Sequence, residues 1–281
     1  MYPPIGPIIF QLGPLTLRWY GVLIMTGAFL ATWTAARYVQ RKEFDPETVW
    51  NMLLWVLFPG LLGARLYYVF VQSPRTQEGF GRFVENPAAI FAVWEGGLHI
   101  YGGFVFGALG LWYYTRRNKL PTLVYFDALA LGLPLAQAVA RWANFINQEL
   151  YGPPTTLPWG LRIDADHRIA PYNDPVQYPE STRFHPLFLY ESLWNFLGFG
   201  IIFAIVRRYG ERLRPGDVLL MYLFWYPLGR FFIEFLRTDS WFFGGGFNAV
   251  HLLSAVSVIA AATLLFLRHR NSPSTQPGTA S

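Results

Sequence analysis

Arg141, Asn144, Asn147 and Glu149 crowd one end of an apolar run, all within nine positions. A second run carries Arg230, Glu234 and Arg237 at i, i+4 and i+7, a spacing that puts all three on one face of a helix. A third carries Arg65. Ionisable groups inside apolar segments are costly and generally mark function. The chemistry on offer is anion recognition. Guanidinium keeps its proton at any working pH, and its planar fork can grip two phosphate oxygens together. In a low-dielectric site, fixed arginines stabilise a developing phosphate charge far more than water does. Arg141 and Arg230 are therefore the candidates for a phosphate clamp. Glu149 and Glu234 are suited to orienting arginines, and Asn144, Asn147 and Tyr20 to holding hydroxyls or phosphate oxygens through neutral hydrogen bonds. Single groups have plainer readings. Arg237 can snorkel to lipid headgroups, Glu234 can simply neutralise Arg230, and His251, alone among Leu, Ala and Val, reads as a packing histidine. The clustering argues for a site.

The elements that must position these groups are membrane spans. Of the 281 residues, 53% are hydrophobic and 14% charged, against roughly a quarter charged in soluble domains. Apolar stretches near 19–37, 49–71, 98–115, 122–146, 187–206, 216–236 and 248–267 are each long enough to cross a hydrocarbon core about 30 Å thick. The expected fold is an all-α integral membrane protein of about seven transmembrane helices. Residues 1–270 form one polytopic domain in this reading, with an extracytoplasmic insertion at about 152–184, and 271–281 form a disordered cytoplasmic tail. Residues 1–13 have no basic leader and read as an interfacial arm. Arg and Lys gather after spans one, three, five and seven, whereas the loop from Thr238 to Phe247 has none, so the N-terminus is expected outside and the C-terminus in the cytoplasm. Arg65, Arg141, Arg230 and their neighbours then fall in the outer half, with Tyr20, His99, Tyr101, His185, Tyr190 and Glu191 near the outer entrances; Asp127 is the main exception. The net charge of +5 reads as this topology signal, and no basic stripe suggests nucleic acid. The chain has no cysteine, so any thiol chemistry must use a substrate's sulfur. Neither metal nor cofactor is expected. The alternatives from other classes are a secondary transporter of an anionic substrate, which predicts polar residues through the full depth, and an assembly subunit held by paired charges.

The run from Arg141 through Asn144-Phe145, Asn147 and Glu149 to Gly152 resembles the signature of the prolipoprotein diacylglyceryl transferases. The resemblance covers most of the chain: Arg18-Trp19-Tyr20-Gly21, Gly63-Ala64-Arg65, Trp94-Glu95-Gly96-Gly97, His185-Pro186 with Leu189-Tyr190-Glu191, and Gly229-Arg230-Phe231 with Glu234 and Arg237 follow in order. Two positions depart from the pattern, Ala140 where a glycine is usual and Tyr101 where many members have histidine. What the resemblance implies is transfer of the diacylglyceryl group of phosphatidylglycerol to the lipobox cysteine of a prolipoprotein signal peptide, with glycerol phosphate released. It implies a bacterial plasma (inner) membrane enzyme in contact with membrane lipids, its site facing the outer leaflet. Arg141, Arg230, Glu149, Tyr101 and His99 are then the catalytic candidates. Arg141, Asn144, Asn147, Gly152, Tyr20, Arg65, Glu234, Arg237, Tyr190 and Glu191 are the candidates for binding phosphatidylglycerol. The thiol's proton acceptor stays open between His99, Tyr101 and a carboxylate, and a positive field could suffice.

Overall fold

The computed structural model describes residues 1–13, 15–75, 79–93, 96–238 and 248–270. The expectations for Trp94, Glu95, positions 239–247 and the 271–281 tail lie outside the described residues. A short hairpin of β1 (Ile8–Leu12) and β2 (Leu15–Arg18) leads into α1 (Trp19–Arg41), and α2 (Glu47–Tyr67) continues into a π-helical turn at Tyr68–Gln72. The short α3 (Gly81–Glu85) precedes α4 (Ile100–Arg117) and α5 (Thr122–Ile146). After β3 (Leu161–Arg162) and β4 (Arg183–Phe184) come α6 (Leu187–Tyr209), α7 (Asp217–Ile233) and α8 (Ala249–His269). The chain is thus an all-α membrane protein: among the described residues six helices, α1, α2, α5, α6, α7 and α8, are long and apolar enough to cross a bilayer. The remaining expected span is α4, whose 18 residues include Arg116 and Arg117 in the last turn and so leave a shorter apolar stretch.

Burial runs opposite to that of a soluble protein. Ile259 and Phe266 on α8 are 66% and 68% exposed, whereas Glu191 and Glu234 are 4% and 2% exposed. Apolar side chains that face outward in this way need lipid as their solvent, and charged groups inside need one another.

Contacts divide the chain into two compact units, one of residues 1–31 and 130–281, the other of residues 32–129. In the second, α2 packs along α4. Pro59 has no N–H to give the carbonyl of Trp55 four residues back, and Gly110 of α4 lies against that carbonyl, where a Cβ would overlap it. In the first, α7 packs between α6 and α8. Pro227 likewise deprives Leu223 of its helical donor, and Ser257 on α8 supplies one, its Oγ donating to the Leu223 carbonyl at 2.8 Å. Between α5 and α6 the chain folds on a small apolar cluster of Phe145, Tyr151, Leu161, Ile163, Phe184 and Phe188. Arg168 ties this segment together by donating to the carbonyls of Ile163 at 2.9 Å and Tyr178 at 2.6 Å.

Candidate active site

The C-terminal end of α5 is built from a strained turn. Helices often end on a left-handed glycine, which lets the next two amides reach back to orphan carbonyls. Here Gln148 takes that conformation at φ 54°, its N–H donating to Phe145 at 3.2 Å while Glu149 N–H donates to Asn144 at 3.0 Å. Leu150 follows at φ 55°, a second unfavourable conformation for a residue with a Cβ. Tertiary bonds hold the turn. The Gln148 amide donates to Asp164 at 2.7 Å and accepts from the Asp164 N–H at 2.8 Å. The same Gln148 hydrogen bond, with a further one from Tyr2, holds the Asp164 carboxyl below its usual range. The turn aims Glu149 back at its own helix, where it accepts from Asn144 at 2.8 Å and Asn147 at 3.4 Å. Asn144 in turn accepts from Arg141 at 3.3 Å.

Glu191, in the second turn of α6, is the centre of the cluster. One oxygen pairs with Arg141 of α5; the other lies 3.5 Å from Arg230 of α7 and 3.6 Å from Arg237. Arg230 also pairs with Glu234 at 2.8 Å, and Asn248, which caps α8, donates to Glu234 at 3.1 Å. Among the described residues, Glu191 thus gathers three guanidiniums, one of which, Arg230, is shared with Glu234. The neighbouring seam steadies the pair of α5 and α6: Trp142 donates to the Ser192 hydroxyl at 3.2 Å, and Ser192 to the Ala138 carbonyl at 2.8 Å. Beside the cluster, Thr16, Leu17, Arg18, Tyr20, Gly21, Asn147 and Glu149 line an open cavity of about 530 Å³.

The structure refines several expectations. Arg230, Glu234 and Arg237 do not share one continuous α-helical face, because α7 ends at Ile233 and Glu234–Leu236 tighten into a 3₁₀ turn. Arg230 keeps its i+4 carboxylate, while Arg237 reaches Glu191. Glu149 is engaged with the two asparagines, and the carboxylate shared by three arginines is Glu191. Gly152 N–H donates to His185 O at 2.9 Å, and Tyr190 lies 3.1 Å from the His185 ring nitrogen. Asn248, Gln148 and Asp164 carry no sequence signal, since short polar residues in loops between spans are common and their partners lie far along the chain. His251 is satisfied against the Phe231 carbonyl at 3.1 Å, as a packing histidine would be.

The other unit holds Arg65, His99 and Tyr101. Arg65 is 3% exposed, and its guanidinium donates to the carbonyls of Ile90 at 3.0 Å, Ala89 at 2.6 Å, Gly97 at 3.1 Å and Gly96. It fastens the segment that leads to α4. His99 caps α4, its Nδ1 accepting from Tyr101 N–H at 3.4 Å, and its ring stacks on Tyr67 at 4.6 Å.

Helices dressed for lipid around a buried arginine–carboxylate cluster define a polytopic membrane protein. The family model described as prolipoprotein diacylglyceryl transferase matches residues 7–267, and the chain belongs to that family. A protein from Chloroflexus aggregans named phosphatidylglycerol–prolipoprotein diacylglyceryl transferase is 41% identical, covering 96% of this chain and 92% of its own length. Proteins of the same name from Enterococcus faecalis and Streptococcus pneumoniae are 38% and 39% identical, covering 96% and 95% of this chain and 93% and 95% of their own lengths. These names give the transporter alternative no support.

Proposed function

We propose that this protein transfers the diacylglyceryl group of phosphatidylglycerol to the cysteine thiol of a prolipoprotein lipobox. The observation that carries the reading is the Glu191 cluster, which gathers Arg141, Arg230 and Arg237 around one buried carboxylate as fixed donors for a phosphodiester, in a chain of this family. Arg141 and Arg230 grip the phosphate oxygens, with Glu191 and Glu234 fixing the planes of their guanidiniums. The sulfur attacks the glyceryl carbon that bears the phosphate; a C–S bond forms, the C–O bond breaks, and its electron pair leaves on the phosphate. The charge that appears there is what the arginines stabilise. A thiol near guanidiniums ionises more readily, and its proton is balanced by the departing glycerol phosphate, whose second pKa lies at about 6. Asn147, Glu149 and Tyr20 border the adjoining cavity and, with Asn144 behind Glu149, hold the glycerol hydroxyls.

The protein sits in the plasma membrane with its N-terminus outside, its C-terminus in the cytoplasm and its site toward the outer leaflet. The support is the basic ends of α1, α4, α6 and α8, with Arg41, Arg116 and Arg117, Arg207 and Arg208, and Arg268 and His269, whereas the basic residues in the last turns of α2 and α7, Arg65 and Arg230, are engaged by carbonyls and by carboxylates inside the protein. The test is the purified protein incubated with phosphatidylglycerol vesicles and a lipobox peptide, read by mass spectrometry. A thioether-linked diacylglyceryl peptide with an equimolar release of glycerol phosphate is expected. No adduct, from protein shown to be folded, overturns the reading.

A further inference from the structure

Two four-residue spacings repeat on adjacent helices: Trp194 precedes Gly198 on α6, and Trp225 precedes Gly229 on α7. The two indoles stack, with centroids 4.5 Å apart and planes 18° from parallel. Each also donates across the seam to the other's backbone. Trp194 Nε1 donates to the Trp225 carbonyl at 3.1 Å, and Trp225 Nε1 to the Trp194 carbonyl at 3.0 Å. The glycines make this possible, because a Cβ on Gly198 would overlap the Trp225 indole and a Cβ on Gly229 would overlap that of Trp194. The pattern is reciprocal: each helix gives one ring, one carbonyl and one gap. Buried indole N–H groups need partners, and here both partners lie on the opposite helix, so the helices cannot slide or part without breaking two bonds and a stack.

The clasp lies close to the cluster on both helices. Trp194 is three residues after Glu191, one turn along α6, and Gly229 directly precedes Arg230. The Arg230 to Glu191 separation of 3.5 Å is therefore set across the same seam. We propose that Trp194 and Trp225, seated on Gly198 and Gly229, are positioning residues that hold the guanidinium of Arg230 at the spacing from Glu191 needed to meet the reacting phosphate. The inference rests on the transferase reading above. A clamp displaced by about 1 Å is expected to lose on the order of 10²-fold in turnover while ground-state binding changes far less.

The test uses the full chain in nanodiscs, with kcat and KM for phosphatidylglycerol and an independent distance. The chain has no cysteine, so spin labels on cysteines introduced at the lipid-exposed Leu197 and Phe232 report the α6 to α7 spacing uniquely. Gly198→Ala, two turns from Glu191, is expected to widen the label distance and lower kcat about 10- to 100-fold, with KM changed less than about threefold. If Gly198→Ala does not fold, the Trp194→Phe and Trp225→Phe double variant, which keeps stacked rings and removes both cross-seam bonds, is measured in its place. A widened distance with unchanged kcat overturns the proposal, as does an unchanged distance. Absence of thioether product from the unsubstituted protein overturns the transferase reading instead, and the distance measurement still decides the clasp.

Discussion

Glu191→Gln is the most informative single change, because it keeps the shape of the side chain and removes only the charge that three arginines share. The carboxylate is 4% exposed, with Arg230 at 3.5 Å and Arg237 at 3.6 Å and Arg141 in direct contact. At an effective dielectric constant of about 20, one such pair has a gross attraction of about 5 kcal/mol, most of it offset by the cost of desolvating both ions. What remains when one partner is removed is the cost of uncompensated buried charge, about 3–5 kcal/mol for a buried pair. The guanidiniums of Arg141, Arg230 and Arg237 would then lose the carboxylate they share and repel one another, with Glu234 still paired to Arg230. Two outcomes should separate. Stability, followed by thermal unfolding in detergent, should fall by an amount larger than Glu234→Gln produces, since Glu234 pairs with Arg230 and Asn248 but with neither Arg141 nor Arg237 in these contacts. Turnover should fall about 100-fold through lost orientation, while affinity for phosphatidylglycerol holds or rises, because less positive charge is neutralised. A Glu191→Gln protein that unfolds with the wild type and turns over normally would refute the argument that this carboxylate is the hub.

Arg141→Lys and Arg230→Lys should still insert and fold yet lose most thioether formation, since ammonium keeps the charge and lacks the planar fork; Arg237→Lys should be milder, and full activity in the first two removes the clamp. His99→Gln should keep substantial activity at every pH tested, because the ring caps α4 and stacks on Tyr67, whereas Tyr101→Phe should be more damaging; an inactive His99→Gln beside a normal Tyr101→Phe reverses that assignment. A cytoplasm-dependent reporter should work when fused after Lys119 or Arg214 and fail within 153–183, and activity from the latter inverts the topology. The Asp164 carboxyl is held low in the folded protein, so its contribution to stability is fully present above the unfolded value of about 3.9 and is lost as pH falls through the lower folded value. The unfolding-temperature gap between wild type and Asp164→Ala should therefore be wide at pH 7 and shrink toward pH 3; a gap independent of pH would show that the charge on Asp164 does not hold the Gln148 turn.

Hydropathy along the chain is enough to mark the segments suited to lipid and the residues that are chemically exceptional within them. Runs of twenty apolar residues have one stable environment, and a lone Arg141 or Arg230 within such a run is conspicuous because its burial is so costly. The helices of α1, α5, α6, α7 and α8 begin and end within a few residues of where hydropathy places them, since in lipid the backbone must satisfy its own hydrogen bonds. Partnership was another matter. Periodicity put Glu234 and Arg237 on one face, yet α7 ends at Ile233 and Arg237 turns to Glu191 on a different helix. Nothing local marks Gln148 as able to stand in for a glycine; its left-handed backbone is held by Asp164, sixteen residues on. The Trp194 and Trp225 clasp is equally silent in one dimension, since two tryptophans in apolar helices look like any others until the helices are laid side by side. Hydropathy is a property of each residue and survives reading along the chain, whereas a hydrogen bond or ion pair belongs to two residues at once, and only the tertiary structure decides which two.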